Sequence, residues 1–183
     1  MDGYVQLDEI SMDILKEIGN VGTGNAVTSL SRMMEQPIEL DLPSLKVVKY
    51  YKMHELLEQP EELQTGILIE VTGQLKGIFL FMLSEAFTKT VINTILGEEE
   101  RNLTSLDDME CSLISELGNI MCGSYIRALS QLMDMDMDVS VPELCIDMGG
   151  AILTYPMSRW VIVSDDILLI ENIFHMSGEI FKG

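Results

Sequence analysis

The chain has 183 residues, 47% of them hydrophobic, and 30 acidic against 11 basic side chains give a formal net charge of −19. Nucleic acid requires clustered cations that displace condensed counterions, so this charge balance excludes it as a ligand, while a partner with a basic surface is permitted. No uncharged apolar run approaches the ~20 residues that cross a bilayer, so membrane insertion is not expected.

Asp2, Asp8 and Glu9 interrupt any signal-peptide pattern at the start. Cys111, Cys122 and Cys145 have no C-x-x-C spacing, and His54 and His175 lie far apart in sequence. That pattern predicts packing thiols, no metal site and a reduced, cytoplasmic setting.

Residues 1–7 read as a lead-in. Asp8 is placed as the N-cap or a first-turn residue of a long helix running to about Glu35, with Ile10, Ile14, Ile18, Val21, Ala26 and Leu30 among its apolar positions at helical spacing. Gly19, Gly22 and Gly24 each cost about 1 kcal/mol there relative to alanine. The helix therefore breaks at these glycines or needs a close backbone neighbour. Gly118 and Gly123 recur later, which predicts two helices packed on each other through small residues.

Residues 37–42 read as a strand ending at Pro43, 46–48 as extended, and 53–57 as a short helix. Residues 66–73 and 77–83 form a predicted hairpin, 84–96 a helix stopped by Gly97, and 98–102 a charged linker. A second long helix, capped by Thr104 or Ser105 and with Asp107 and Asp108 in its first turn, is expected to run to about Met133. The alternating stretch 134–141 fits a strand burying Met135, Met137, Val139 and Val141 better than an adaptable methionine surface. Residues 147–153 read as a short helix, 160–164 and 167–171 as extended, and 178–181 as the start of a strand.

One stretch occurs twice. Residues 7–20 (LDEISMDILKEIGN) are matched by 106–119 (LDDMECSLISELGN), so that Asp13-x3-Glu17-x2-Asn20 parallels Ser112-x3-Glu116-x2-Asn119. Pro43 and Pro142 follow, each separated from its Asn by 22 residues, and all four positions repeat at an offset of 99. This predicts one α+β body made of two repeats, about 7–97 and 106–183, with two long helices related by a pseudo-twofold and packed on mainly antiparallel sheet. Projected by the same offset, the hairpin and helix at 66–96 fall on 165–195. The second repeat is thus expected to lack the rest of a strand and its closing helix, leaving a sheet edge or an apolar face that invites self-association.

On a helix, positions 13, 17 and 20 fall within roughly 60° of one another. A single polar stripe of this kind is most simply a solvated face. Recurrence of the same residue types favours a site instead, because Asn is a modest helix former with no reason to recur mid-helix. The glycine before each Asn is expected to leave the surface low for a close partner. The run from Gly19 to Gly24 superficially resembles a nucleotide loop, but it lacks the G-x-G-x-x-G order and a preceding strand.

With its doubled Asp/Ser-x3-Glu-x2-Asn-x22-Pro pattern, the sequence resembles the CheC/CheX/FliY family of response-regulator phosphatases. Two complete copies on one short chain resemble the CheC branch rather than the single-site, dimerising CheX branch. The resemblance implies a CheC-like fold and hydrolysis of the phosphoaspartate of a phosphorylated CheY-type response regulator in chemotaxis. It assigns Asn20 and Asn119 to orienting the attacking water, and Glu17 and Glu116 to pairing with the regulator's active-site lysine. Asp13, Ser112, Pro43 and Pro142 shape the sites. The chain itself binds no cofactor, and Mg²⁺ is expected on the regulator. The stretch around Asp147, Gly150, Ile152 and Leu153 resembles the helix that binds the receptor deamidase CheD. The alternative is a non-catalytic adaptor for CheD or phosphorylated CheY.

Overall fold

The computed structural model describes residues 8–57, 59–160 and 166–182, so the expected lead-in at 1–7 and most of the extended segment at 160–164 lie outside the described residues. In chain order the elements are α1 (Glu9–Met33), β1 (Glu39–Lys49), α2 (Met53–Leu56), β2 (Leu63–Gly73), β3 (Gly77–Ser84), α3 (Glu85–Leu96), α4 (Asp108–Met133), β4 (Met137–Val139), β5 (Glu143–Met148), α5 (Gly149–Trp160), β6 (Asp166–Met176) and β7 (Glu179–Lys182).

Asp8 caps α1 as its sequence position foretells, accepting a hydrogen bond from the Ser11 amide at 2.7 Å, and that bond holds its carboxyl below the usual range. The helix runs unbroken through its three glycines. A Cβ built on Gly22 would lie 2.5 Å from the Tyr125 ring, so α1 and α4 do pack through this glycine. Gly118 serves a different neighbour: its Cβ would lie 2.4 Å from Ile67 of β2.

The cap of α4 differs from the expectation. Thr104 and Ser105 belong to a 3-10 turn (Leu103–Ser105), and Asp107 is the N-cap, closing a capping box with Glu110. The carboxylate three residues before a matching Glu wins because it satisfies two helix-end donors reciprocally.

The strands form two antiparallel sheets, one ordered β1-β6-β7 and one ordered β3-β2-β4 with β5 also paired to β2. Each repeat's proline-bearing strand therefore pairs with the hairpin of the other repeat. The two ladders differ in register by four residues relative to the 99-residue repeat: Lys46 lies opposite Leu169, but its counterpart Cys145 lies opposite Gly66 rather than Glu70. Both slip by one residue at the proline, between Asp41 and Ser44 in one case and between Val139 and Glu143 in the other. Proline has no N–H to donate to a ladder, and a bulge is where a strand tolerates it.

Two expectations fail at these slips. β1 continues through Pro43 instead of ending there. The 134–141 stretch contributes only the short β4, with Val139 and Val141 exposed at 41% and 83%, because the chain leaves the ladder just before Pro142. Asp147 likewise belongs to β5, and the following helix starts only at Gly149. The second repeat does complete a hairpin, β6 with β7, where projection left a truncated strand.

The core sits where α1, α3 and α4 meet the sheets. Phe87 of α3 packs on Phe174 and Phe181 of β6 and β7, with ring centroids 4.5 Å and 5.2 Å apart. The buried Thr88 hydroxyl lies 3.0 Å from the Ser84 carbonyl and 3.1 Å from the Thr65 hydroxyl, tying α3 to β2.

Gly118→Ala is expected to destabilise the protein by about 1–3 kcal/mol despite alanine's higher helix propensity, since the fully buried, branched Ile67 has nowhere to move. A lowered urea midpoint at unchanged slope checks this. Burial pushes the Cys122 thiol from 9.0 up to about 12. The unfolded chain then loses this proton first, so stability is full below pH 9.0 and declines as pH rises toward about 12. Urea midpoints compared between pH 8 and 10.5 should fall in the parent chain and fall less in Cys122→Ala.

Candidate functional site: two outward helix faces

The inward face of α1 carries Ile18, Ala26 and Leu30, and that of α4 carries Ile114, Leu117, Met121 and Cys122, all buried. Anchored by these stripes, the helices turn Asp13, Glu17 and Asn20, and likewise Ser112, Glu116 and Asn119, to solvent; all six are exposed. Asp13 faces Lys16 at 3.8 Å, a loose and solvent-screened pair. Among the described residues, Glu17, Asn20, Glu116 and Asn119 have no side-chain hydrogen bond or ion pair. These four polar groups are therefore left to solvent.

Ile10 and Ile14, apolar positions at helical spacing, are 75% and 48% exposed, and Met109 at the position equivalent to Ile10 is 65% exposed. At 100° per residue Ile10 and Ile14 lie within about 60° of Glu17, so they belong to the outward face. Each polar stripe thus has an apolar flank.

The glycines next to the asparagines point the other way. Gly19 and Gly118 are buried. One turn later on the asparagine side, Gly24 is exposed with open space at its Cβ position, while its counterpart Gly123 is half-buried with the Arg127 guanidinium against it.

A buried polar tether holds the two faces in place. Tyr125 donates to Asn172 Oδ1 at 2.8 Å, and its oxygen in turn accepts from Thr23 Oγ1 at 3.0 Å. The chain of bonds joins α1, α4 and β6, three residues beyond Asn20. Burial pushes the Tyr125 phenol above its ordinary value, with the two hydrogen bonds offsetting part of the shift. No motif in the sequence marks this trio, because its members come from three separate elements.

A second support acts only on α4. Arg101, with 7% of its side chain exposed, donates to Glu110 at 2.6 Å, to the Gly97 carbonyl at 3.0 Å and to Asn93. Glu110 is also the capping-box residue, accepting from the Asp107 amide at 2.9 Å. The first turn of α4, just ahead of Ser112, is therefore clamped from two sides.

The prolines lie in the strand regions of the two repeats. Pro142 lies between β4 and β5, where the Ser140 amide donates to the Glu70 carbonyl at 2.9 Å and the Glu70 amide donates to Ser140 Oγ at 3.0 Å, covering the break. Pro43 lies within β1, and its side chain is outside the described residues. Both strands pack against the long helix of their own repeat.

Of the residues in the 147–153 stretch, Asp147 is exposed and Gly150 half-buried. The Gly149 and Gly150 amides donate to the carbonyls of Glu62 and Pro60, at 3.0 Å and 2.9 Å. Ile152 and Leu153 are each 3% exposed, with Ile152 against Gly66, so these two face the core. Among the described residues no group of three or more His, Cys, Asp or Glu is placed to hold a metal ion. No described helix is long and apolar enough to cross a membrane.

A model of the CheC-like family matches residues 10–46 and 109–146, the two windows that contain both triplets and both prolines. The chain is 27% identical over 176 residues to the CheY-P phosphatase CheC of Bacillus subtilis, covering 94% of this chain and 84% of that protein. It is 31% identical over 108 residues to the CheY-P phosphatase CheX of Thermotoga maritima, covering 56% of this chain and 66% of that one. Among solved structures, Thermotoga maritima FliY shares the fold with a TM-score of 0.74 at 23% identity, covering 97% of this chain and 90% of the other.

Tyr125→Phe leaves the buried Asn172 oxygen without its donor and is expected to cost about 1–3 kcal/mol of stability while leaving every exposed residue of the two faces intact. Urea denaturation of the variant against the parent measures it.

Proposed function

The chain belongs to the CheC-like family, and on that premise we propose that it is a protein aspartyl-phosphate phosphatase acting on a phosphorylated CheY-type response regulator in the cytoplasm. The observation that carries this is the paired exposure of an unpartnered Asn and an unpartnered Glu one turn apart, once on α1 and once on α4. Internal packing gives neither amide a reason to be there.

Phosphoryl transfer needs positioning and charge neutralisation more than covalent help. Each long helix docks over the regulator's active site. Glu17 or Glu116 pairs with the regulator's lysine and fixes the pose. Asn20 or Asn119 accepts a hydrogen bond from a water and holds it in line with phosphorus. The water's oxygen bonds to phosphorus, the bond to the regulator's aspartate oxygen breaks, and inorganic phosphate leaves. A neutral amide suits this role because it adds no negative charge beside the phosphoryl group. The Mg²⁺ arrives as part of the substrate, bound to the regulator. Asp13 and Ser112 border the stripes, and Pro43 and Pro142 shape the strands beneath them.

CheD is the second partner in this proposal. It meets the outer side of the 147–155 segment, where Asp147 is exposed, along with Met148 at 50% and Tyr155 at 48%. Gly150 lets the segment sit close to Pro60, and Ile152 and Leu153 hold it from within.

The test is decay of an acetyl-phosphate-labelled CheY-type regulator in Mg²⁺, with and without CheD. Replacing both Asn20 and Asn119 by Ala should lower the acceleration roughly 100-fold, about 2.7 kcal/mol of barrier. Unchanged decay in a folded double variant would sink the mechanism and favour an adaptor that only binds. The single variants apportion activity between the two faces.

A further inference from the structure

We propose that Gly24 and Gly123 are clearance positions that set how closely the regulator's backbone approaches Asn20 and Asn119. The inference rests on the phosphatase function above and deepens it.

Each glycine lies four residues after its Asn, about 40° away on the same helix face, and the two are related by the 99-residue offset. Glycine in a helix interior is less stable than alanine, so its recurrence at equivalent positions calls for a cause. Three ordinary causes are absent. Neither residue has a positive φ. Neither ends a helix, since both lie well inside α1 and α4. Neither is compelled by a rigid neighbour: a Cβ on Gly24 meets nothing within 4 Å, and the nearest atoms to one on Gly123 belong to the Arg127 guanidinium, at 3.2 Å, the flexible end of a side chain that would have to give way.

Gly22 and Gly118 provide the contrast within the same helices. There a Cβ would collide with a buried ring and a buried isoleucine. Those glycines are used by the fold, and Gly24 and Gly123 are not. What remains is a neighbour from outside the chain. The positions lie beside the unpartnered asparagines, so the occupant is the regulator whose phosphoryl group those amides address. A methyl group there would hold the docked backbone away from the Asn. In-line attack tolerates little of that, since a misplacement of about 1 Å can cost 100-fold in rate.

The experiment uses the full chain with one Asn site silenced at a time: Gly24→Ala and Gly24→Leu in an Asn119→Ala background, and Gly123→Ala in an Asn20→Ala background. The substrate is the phosphorylated CheY-type regulator, and Tm is measured alongside. The expected result is a fall in kcat/KM of roughly tenfold or more, with a higher KM, larger for Leu than for Ala, and Tm unchanged or raised. A smaller loss, a loss equal for Ala and Leu, or one confined to kcat with a lowered Tm overturns the inference. Failure of the phosphatase function itself shows separately, as a parent chain no faster than the double Asn variant.

Discussion

Everything on the two outward faces depends on the contact between α1 and α4, and that contact is centred on Tyr125. Its ring fills the space left open at Gly22, and its hydroxyl is satisfied on both sides by Thr23 and Asn172. A buried phenol without partners would be costly, and one with two is a directional fixing point. The same residue thus supplies shape through its ring and direction through its oxygen. Asn172 is 3% exposed and belongs to β6, so the tether reaches from the helices into the sheet of the second repeat.

Strand exchange extends that coupling. Because β1 pairs with β6 and the β4–β5 strand pairs with β2, neither repeat closes its own sheet. Phe87 of the first repeat's last helix rests on Phe174 and Phe181 of the second repeat's hairpin. The two helix faces are therefore parts of one interlocked body, and a change in one repeat is felt in the ladder that supports the other. The prolines sit at the slips of those ladders. They mark where a strand adds one residue over its partner.

Much of this was legible in the sequence. The repeat, both long helices, the hairpin at β2–β3 and the outward polar stripes all follow from local patterns: a 3.6-residue period, a capping carboxylate, a glycine after the last turn. Some failures are local, such as the cap of α4, where Asp107 displaces Thr104 and Ser105, or the exposed Ile10 and Ile14; others depend on distant partners. Ile10 and Ile14 have core-like composition, yet the angular position that exposes Glu17 exposes them too. Val141 continues an alternating pattern, but Pro142 withdraws its strand from β2. Ile152 and Leu153 read as a partner-binding helix, whereas Gly66 on β2 provides the space that buries Ile152. The Thr23–Tyr125–Asn172 trio left no local mark at all.

The glycines sharpen the same distinction between what a fold requires and what a partner requires. Gly19, Gly22, Gly24, Gly118 and Gly123 look equivalent as letters. The structure separates them: some are buried against named side chains, and Gly24 and Gly123 have no internal collision that compels them. The duplicated faces differ as well. Arg127 lies over Gly123, and the equivalent position in the first repeat is Thr28. Asp13 with Lys16 in the first face is replaced by Ser112 with Ser115 in the second. The second face thus carries a cation beside Gly123 and a helix start clamped by Arg101, while the first has open space at Gly24 and an added carboxylate at Asp13. On the proposed function, a duplicated frame keeps Glu and Asn in both faces because they would address the same chemistry. The surrounding residues are free to diverge, and it is they that decide how readily each face is approached.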